Sequence, residues 1–255
     1  MSGAALVTGG ARGIGRAIAL GLARAGFAVA INDRAHDAAC DDTLADLARL
    51  GVRASLAVGD VADIGCHAGM LDVAEAAVGP LTTLVNNAGV SVASRGDLLD
   101  VTPEAYDRCQ SVNTRALFFL SQSFARRLLG RARDPLPHHA IINITSSNAR
   151  AASIARGEYC VSKAAAAMVS KLFAVRLAPE GIGVYDIQPG IIETNMTAPV
   201  RDAYAQRIRE GLTPLPRMGQ PDDIARVATC LARGEFAFAV GQTVQADGGL
   251  VLPHY

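Results

Sequence analysis

Short apolar runs alternate with amphipathic stretches from one end of this sequence to the other, and that alternation limits the folds open to it. Runs of strand character lie near residues 4 to 8, 27 to 33, 53 to 60, 81 to 86, 139 to 146, 183 to 189 and 243 to 246, with helical patterns between them. Parallel strands need crossover connections, usually helices, and strands covered on both faces read as continuous apolar runs. The pattern therefore predicts an α/β chain, a doubly wound parallel sheet of about seven strands with helices on both faces. One domain over residues 1–255 suffices, because 255 residues with 50% hydrophobic content can bury a substantial core. Helix starts are marked at Thr102-Pro103-Glu104 and Gln220-Pro221-Asp222-Asp223, each with proline at the first helical position and acid in the first turn.

At the N-terminus, Ala4-Ala5-Leu6-Val7 reads as a short buried strand that runs into Thr8-Gly9-Gly10-Ala11-Arg12-Gly13-Ile14-Gly15 and then an apolar helical pattern. Glycines there permit a tight turn and let backbone N–H groups approach a pyrophosphate, while a new helix N-terminus favours negative charge. The spacing is a GxxxGxG variant of the dinucleotide fingerprint, not the literal GxGxxG. A second strand, Phe27 to Ile31, ends in Asn32-Asp33, which places a carboxylate about 20 residues beyond the glycines, where a ribose 2′-hydroxyl would sit. A flexible glycine turn and a turn-forming aspartate are the plainer reading. The order strand, glycines, helix, strand, acid favours a Rossmann-type dinucleotide site.

A second pattern carries chemistry. Tyr159 and Lys163 are four residues apart, which on a helix brings both side chains to one face. A phenol loses its proton near pH ~10, so a fixed positive neighbour is the simplest way to make the phenolate accessible near neutrality. Ser146, thirteen residues before Tyr159 at the end of an apolar run, is placed to hydrogen-bond a substrate oxygen. Its neighbours Thr145 and Ser147 carry hydroxyls too, and satisfying a strand end is the plainer role for any of the three; spacing to Tyr159 favours Ser146.

Lys+Arg and Asp+Glu balance at 24 each, which gives no electrostatic case for nucleic acid or an anionic membrane surface. Five cysteines (Cys40, Cys66, Cys109, Cys160, Cys230) without CxxC spacing argue against a disulfide framework or zinc site and read as reduced, mostly core residues. No run reaches the ~18 apolar residues of a membrane span, and residues 1–15 lack signal-peptide features, so the cytoplasm is the expected location. The Gly130–His139 link is polar, proline-bearing and long, and its His138-His139 pair reads as loop surface, not a metal site. A second segment, about 191–217, mixes apolar residues, prolines and Met196, as a mobile lid over a ligand would.

Taken together, the chain resembles a classical short-chain dehydrogenase/reductase over essentially its whole length. The family's cofactor turn is matched by Thr8, Gly9, Gly13 and Gly15, with Arg12 and Ile14 inside it; its adenine-contacting acid by Asp60, followed by Val61; and its Asn-Asn-Ala-Gly strand end by Asn86-Asn87-Ala88-Gly89. The catalytic tetrad carries over to Asn113, Ser146, Tyr159 and Lys163, and the turn that lines the nicotinamide to Pro189-Gly190, with Ile192 and Thr194 following. Arg95-Gly96-Asp97-Leu98-Leu99-Asp100, Arg156-Gly157-Glu158-Tyr159-Cys160 and Asp247-Gly248-Gly249 resemble a bacterial branch labelled 3-oxoacyl-ACP reductase-like.

The resemblance implies an NAD(P)-dependent oxidoreductase that interconverts a secondary alcohol and a ketone. Tyr159 would move the proton at the substrate oxygen, Ser146 would orient the carbonyl, Lys163 would depress the Tyr159 pKa and hold the nicotinamide ribose, and Asn113 would hold a water that links Lys163 to solvent. Asp33 should accept hydrogen bonds from a free 2′-hydroxyl and repel a 2′-phosphate, which favours NAD(H); Arg12 and Arg34, with guanidinium groups that suit a phosphate, keep NADP(H) open, the plainer reading of either being a surface or ion-paired residue. For the substrate, a 3-oxoacyl thioester and a polyol, sugar or small hydroxy acid both stand. Arg95, Asn148, Arg156 and Glu158 would form a polar ring suited to the latter group, while the Arg126, Arg127, Arg131, Arg133 cluster reads as a solvated face. A dinucleotide-binding protein without catalysis is the alternative of a different class, which an intact tetrad disfavours. Relatives are commonly tetramers, and Leu117, Phe118, Phe119, Met168, Leu172 and Phe173 are candidates for such a contact or for the core.

Overall fold

The computed structural model describes residues 3–132 and 138–253. Its strands are β1 (Ala4–Thr8), β2 (Ala28–Asp33), β3 (Ala54–Val58), β4 (Thr83–Asn86), β5 (His139–Ile144), β6 (Ile182–Pro189) and β7 (Thr243–Ala246). They form one sheet in the order β3-β2-β1-β4-β5-β6-β7, every pair parallel. Helices fill the crossovers: α1 (Gly13–Arg24), α2 (Ala38–Arg49), α3 (His67–Val78), α4 (Pro103–Gln110), α5 (Leu117–Leu129), α6 (Gly157–Leu177), α7 (Arg201–Arg209) and α8 (Pro221–Ala232). A π-helical turn, Ser111–Ala116, joins α4 to α5.

The two-residue alternation of each strand divides the core into two layers. Ala5 and Val7 of β1 and Ile142 and Ile144 of β5 face α1 and α8, packing with Ile18, Leu22, Ile224 and Leu231. Leu6 and Ile141 point the other way, against Leu71 of α3, Leu120 and Phe124 of α5 and Leu177 of α6. Both marked helix starts are capped as the sequence predicts. The Thr102 hydroxyl accepts the Ala105 N–H at 3.2 Å ahead of Pro103, and Gln220 and Asp223 form a reciprocal capping box around Pro221.

Several expectations change on contact with the structure. Half of the Gly130–His139 link, including Arg133, lies outside the described residues, but its histidines are not loop surface: His139 opens β5 and is buried, and half-buried His138 brings Nε2 to 3.3 Å from the Tyr185 hydroxyl. β5 runs between β4 and β6 and is buried along its whole length, so its first residue is covered although the loop before it is polar. The arginine cluster is not simply a solvated face, because Arg127 pairs with Asp72 and Glu75 and Arg131 pairs with Glu75. Cys40 and Cys109 are core residues, whereas Cys66, Cys160 and Cys230 are only partly buried; all five are free. The 191–217 segment is not a bare loop, since it contains α7 and a turn at Ala198–Val200. No helix among the described residues is long and apolar enough to cross a membrane.

Candidate active site

From β1 the chain steps to β2 and β3 on one side and returns to β4 on the other, so the C-terminal ends of β1 and β4 diverge into a crevice. A cleft of about 600 Å³ opens there. At one end Gly9 and Gly13 turn the chain with φ of 60° and 52°, a conformation that side chains resist. Gly15 leaves no alternative, since a Cβ there would lie 2.1 Å from the Gly9 carbonyl oxygen. Arg12 enters α1 without a side-chain cap and no acid occupies the first turn, leaving the first N–H groups and the positive end of the helix dipole for an anion. These are the features a dinucleotide pyrophosphate requires, and Asp33 lines the same cleft.

Arg12 is already engaged. One Nη contacts the Asp37 carboxylate and the other lies 3.8 Å from Asp33. The hydrogen bond to Asp37 raises the Arg12 pKa, and the same contact holds the Asp37 carboxyl below its usual range. Arg34 is exposed and offers Asp33 only its backbone N–H, at 2.8 Å.

At the other end of the cleft stand Ser146, Tyr159 and Lys163. Thr145 gives its hydroxyl to Asp186 at 2.5 Å. Ser146 instead accepts the Asn148 N–H at 3.1 Å, which leaves its own O–H to donate on the cleft side, where the Tyr159 phenol is its partner. Lys163, buried on α6, donates to the Ile144 carbonyl at 3.0 Å, and its ammonium lies 5.8 Å from the centre of the Tyr159 ring. Burial pulls the Lys163 pKa down to about 8, against the opposing charge of Asp186 beneath it. Burial likewise pushes the Tyr159 phenol above its ordinary value, with the Ser146 hydrogen bond and the Arg156 charge working to lower it. The expected downward shift from Lys163 is thus not the dominant effect on this phenol; the guanidinium of Arg156, 5.4 Å from the ring centre, is the cation that acts on it.

Asn113 sits in the π-helical turn with its side chain committed. Its Oδ1 accepts the Val90 N–H at 2.8 Å, and its Nδ2 donates to the Val90 carbonyl and the Ser162 hydroxyl. A Cβ on Gly89 would meet Asn113 Oδ1 at 3.2 Å and Lys163 Nζ at 3.4 Å, so the β4 end, the π turn and α6 converge closely here.

A family model described as enoyl-(acyl carrier protein) reductase matches residues 9–251. A short-chain type dehydrogenase/reductase of Picea abies is 33% identical, covering 97% of this chain and 92% of that protein. The chain belongs to the short-chain dehydrogenase/reductase family. It is an NAD(P)-dependent oxidoreductase acting on CH–OH or keto groups. Among solved short-chain dehydrogenase/reductase structures, a 3-oxoacyl-(acyl-carrier protein) reductase from Brucella melitensis in complex with NAD superposes with a TM-score of 0.94 at 38% identity, covering 100% of this chain and 99% of that one. A gluconate 5-dehydrogenase from Burkholderia cenocepacia in complex with NADP and tartrate superposes with a TM-score of 0.87 at 35% identity, covering 98% and 96%.

In this short-chain dehydrogenase/reductase the cleft gathers Gly9, Arg12, Gly13, Ile14, Gly15, Asp33, Asn87, Ala88, Gly89, Pro189, Gly190, Ile192 and Thr194 with Ser146, Tyr159 and Lys163. Thr8, Asp60, Val61 and Arg34 do not line it. Thr8 accepts the Asn87 and Ala88 N–H groups, both at 3.0 Å, and Asn87 donates back to the Thr8 carbonyl at 2.8 Å, a clamp between β1 and β4. Asp60 is exposed and closes a turn through the Ala62 N–H, while Val61 is core. Of the polar ring, Arg95, Asn148 and Arg156 line the cleft, but Glu158 is buried outside it. Sequence reasoning missed Tyr204, Arg207 and Asp186. The first two arrive on α7, whose pattern carries no motif, and Asp186 lies in a wholly buried strand where alternation gives no signal.

Proposed function

We propose that this enzyme interconverts a secondary alcohol and a ketone on a small polar substrate with NAD(H), using Tyr159 as proton carrier. The observation that carries the proposal is the single cleft that holds the glycine turn and Asp33 at one end and Ser146, Tyr159 and Lys163 at the other. The glycine turn and the start of α1 would hold the pyrophosphate, Asp33 the adenosine ribose, and Ala88, Gly89, Pro189, Gly190, Ile192 and Thr194 the nicotinamide half. The bound cofactor supplies or takes up the hydride. Ser146 donates to the substrate oxygen, Tyr159 exchanges its proton with that oxygen, and Lys163 places a positive charge below the pair. Asn113 fixes the Val90 loop against α6 and keeps Lys163 in register.

NAD(H) is favoured because Arg12, the guanidinium that lies beside Asp33 in the cleft, is occupied by Asp37 and Asp33. A 3-oxoacyl thioester is the second reading, supported by the likeness to the Brucella melitensis reductase. Five free thiols support a reducing, cytoplasmic setting. Exposed Met168, Leu172 and Val175 on α6 support assembly through that helix, as a homotetramer. Tyr159→Phe tests the chemistry: turnover of a ketone and alcohol panel should fall at least about a thousandfold while NADH binding is retained. Comparable turnover by the variant would refute the mechanism.

A further inference from the structure

Three arginines, Arg95, Arg156 and Arg207, line the cleft that holds Ser146 and Tyr159. They come from separate parts of the chain: the segment after β4, the turn before α6, and α7. None of the three is ion-paired among the described residues, whereas Arg12, Arg16, Arg127, Arg131 and Arg217 all have carboxylate partners. Among the described residues the only carboxylate lining the cleft is Asp33, which faces Arg12 at the other end.

Half-buried Arg156 is the centre of the group. Its Nη2 donates to Asn148 Oδ1 at 2.6 Å, but its Nε is buried with no hydrogen-bond partner. A buried guanidinium N–H without a partner is costly, and it leaves the charge of this group poorly compensated from the protein side. Arg95, exposed at the rim, stacks on Tyr204 with its guanidinium carbon 5.8 Å from the ring centre and reaches the hydroxyl at 3.4 Å. Burial raises the Tyr204 pKa, yet the Arg95 hydrogen bond and the charges of Arg156, Arg95 and Arg207 prevail and lower it, a measure of how positive this corner is.

We propose that Arg95, Arg156 and Arg207, with Tyr204, form an anion subsite beside the catalytic tyrosine, and that the substrate is a hydroxy acid or keto acid whose carboxylate is held there. This rests on the dehydrogenase reading above and names its substrate class. Guanidinium groups recognise carboxylates by paired, charge-assisted hydrogen bonds, and the Arg156 position beside the Tyr159 ring sets that carboxylate close to the reacting carbinol. In oxidation the carbinol C–H bond gives its hydride to NAD⁺, the O–H bond gives its proton to Tyr159, and the new C=O forms between them; the carboxylate is unchanged. The arginines hold it and take no part in bond making.

The test uses tartrate and its neutral counterpart threitol as probes of the full-length protein saturated with NADH, followed by calorimetry or cofactor fluorescence. Tartrate should bind at least about tenfold more tightly than threitol, and Arg207→Gln and Arg95→Gln should each remove much of that preference. Neither residue touches Tyr159 among the contacts described, so their effect is separable from a change in the phenol. Arg156→Gln should abolish the preference. Equal binding of the two probes, or a preference untouched by all three substitutions, overturns the subsite. Inorganic phosphate binding more tightly than tartrate overturns the carboxylate assignment. A protein that binds NADH but shows no tartrate preference defeats the subsite alone; one that does not bind NADH defeats the dehydrogenase reading beneath it as well.

Discussion

Lys163 Nζ donates to the carbonyl oxygen of Ile144 at 3.0 Å, which ties the buried ammonium of α6 to the last residue of β5. The bond aims the charge, but one neutral acceptor does not replace the water that a lysine gives up on burial. A lysine whose pKa falls from 10.5 to about 8 costs the folded state about 3 kcal/mol while it remains charged.

The sign follows from proton counting. Below pH 8 both folded and unfolded chains hold this proton and the full cost is present; between pH 8 and 10.5 the unfolded chain binds more protons, so this residue's contribution to stability improves as pH rises. Lys163→Met should therefore stabilise the fold at pH 7 by about 1–2 kcal/mol, the lost attraction to Asp186 taking back part of the gain, and the advantage should shrink above pH 8. Urea unfolding at pH 7 and pH 10 checks it, alongside an expected loss of turnover.

Tyr159 gives a directional pH dependence. Because burial raises its pKa, the base needed for alcohol oxidation is scarce at neutrality, and kcat/KM for oxidation should climb through the alkaline range while ketone reduction does not. Arg156→Gln removes a charge that lowers this pKa and should move the oxidation limb to higher pH, as initial rates across pH 6 to 10 would reveal.

Cofactor choice should turn on Asp33 and Asp37. Wild-type protein should bind NADH more tightly than NADPH, and Asp33→Ala should reduce or reverse that preference. Asp37→Asn should release Arg12 and improve NADPH affinity several-fold, consistent with a charge-assisted contact worth about 1–3 kcal/mol. Fluorescence titration of the three proteins with both cofactors decides it.

Assembly through α6 predicts a tetramer in light scattering at micromolar concentration. Leu172→Glu places a charge on the exposed apolar face and should yield smaller species without unfolding them. A monomeric wild type would remove the basis for this contact.

What could be read in advance follows from where each signal resides. Strands β1 to β7 and the capped starts of α4 and α8 were legible because burial, proline and capping are local. Asp33 was legible because two successive elements fix its place at the end of β2. Arg207 and Tyr204 were not, since α7 owes its position to packing over the cleft and not to any pattern of its own. Asp186 was hidden by the uniform burial of β6, which erases the alternation that would show which side chains point towards Lys163. Lys163 itself was found by spacing, but its depressed pKa depends on how much water the fold excludes, a quantity no motif contains.

The Thr8–Asn87 clamp spans the point where the sheet changes winding direction, so the two halves of the crevice are joined before any ligand arrives. Closing that seam is part of the folding reaction, and its ordering entropy is met there. A dinucleotide therefore meets a seam that is already closed, and the wall supplied by α7 and its flanks is left to meet the other reactant.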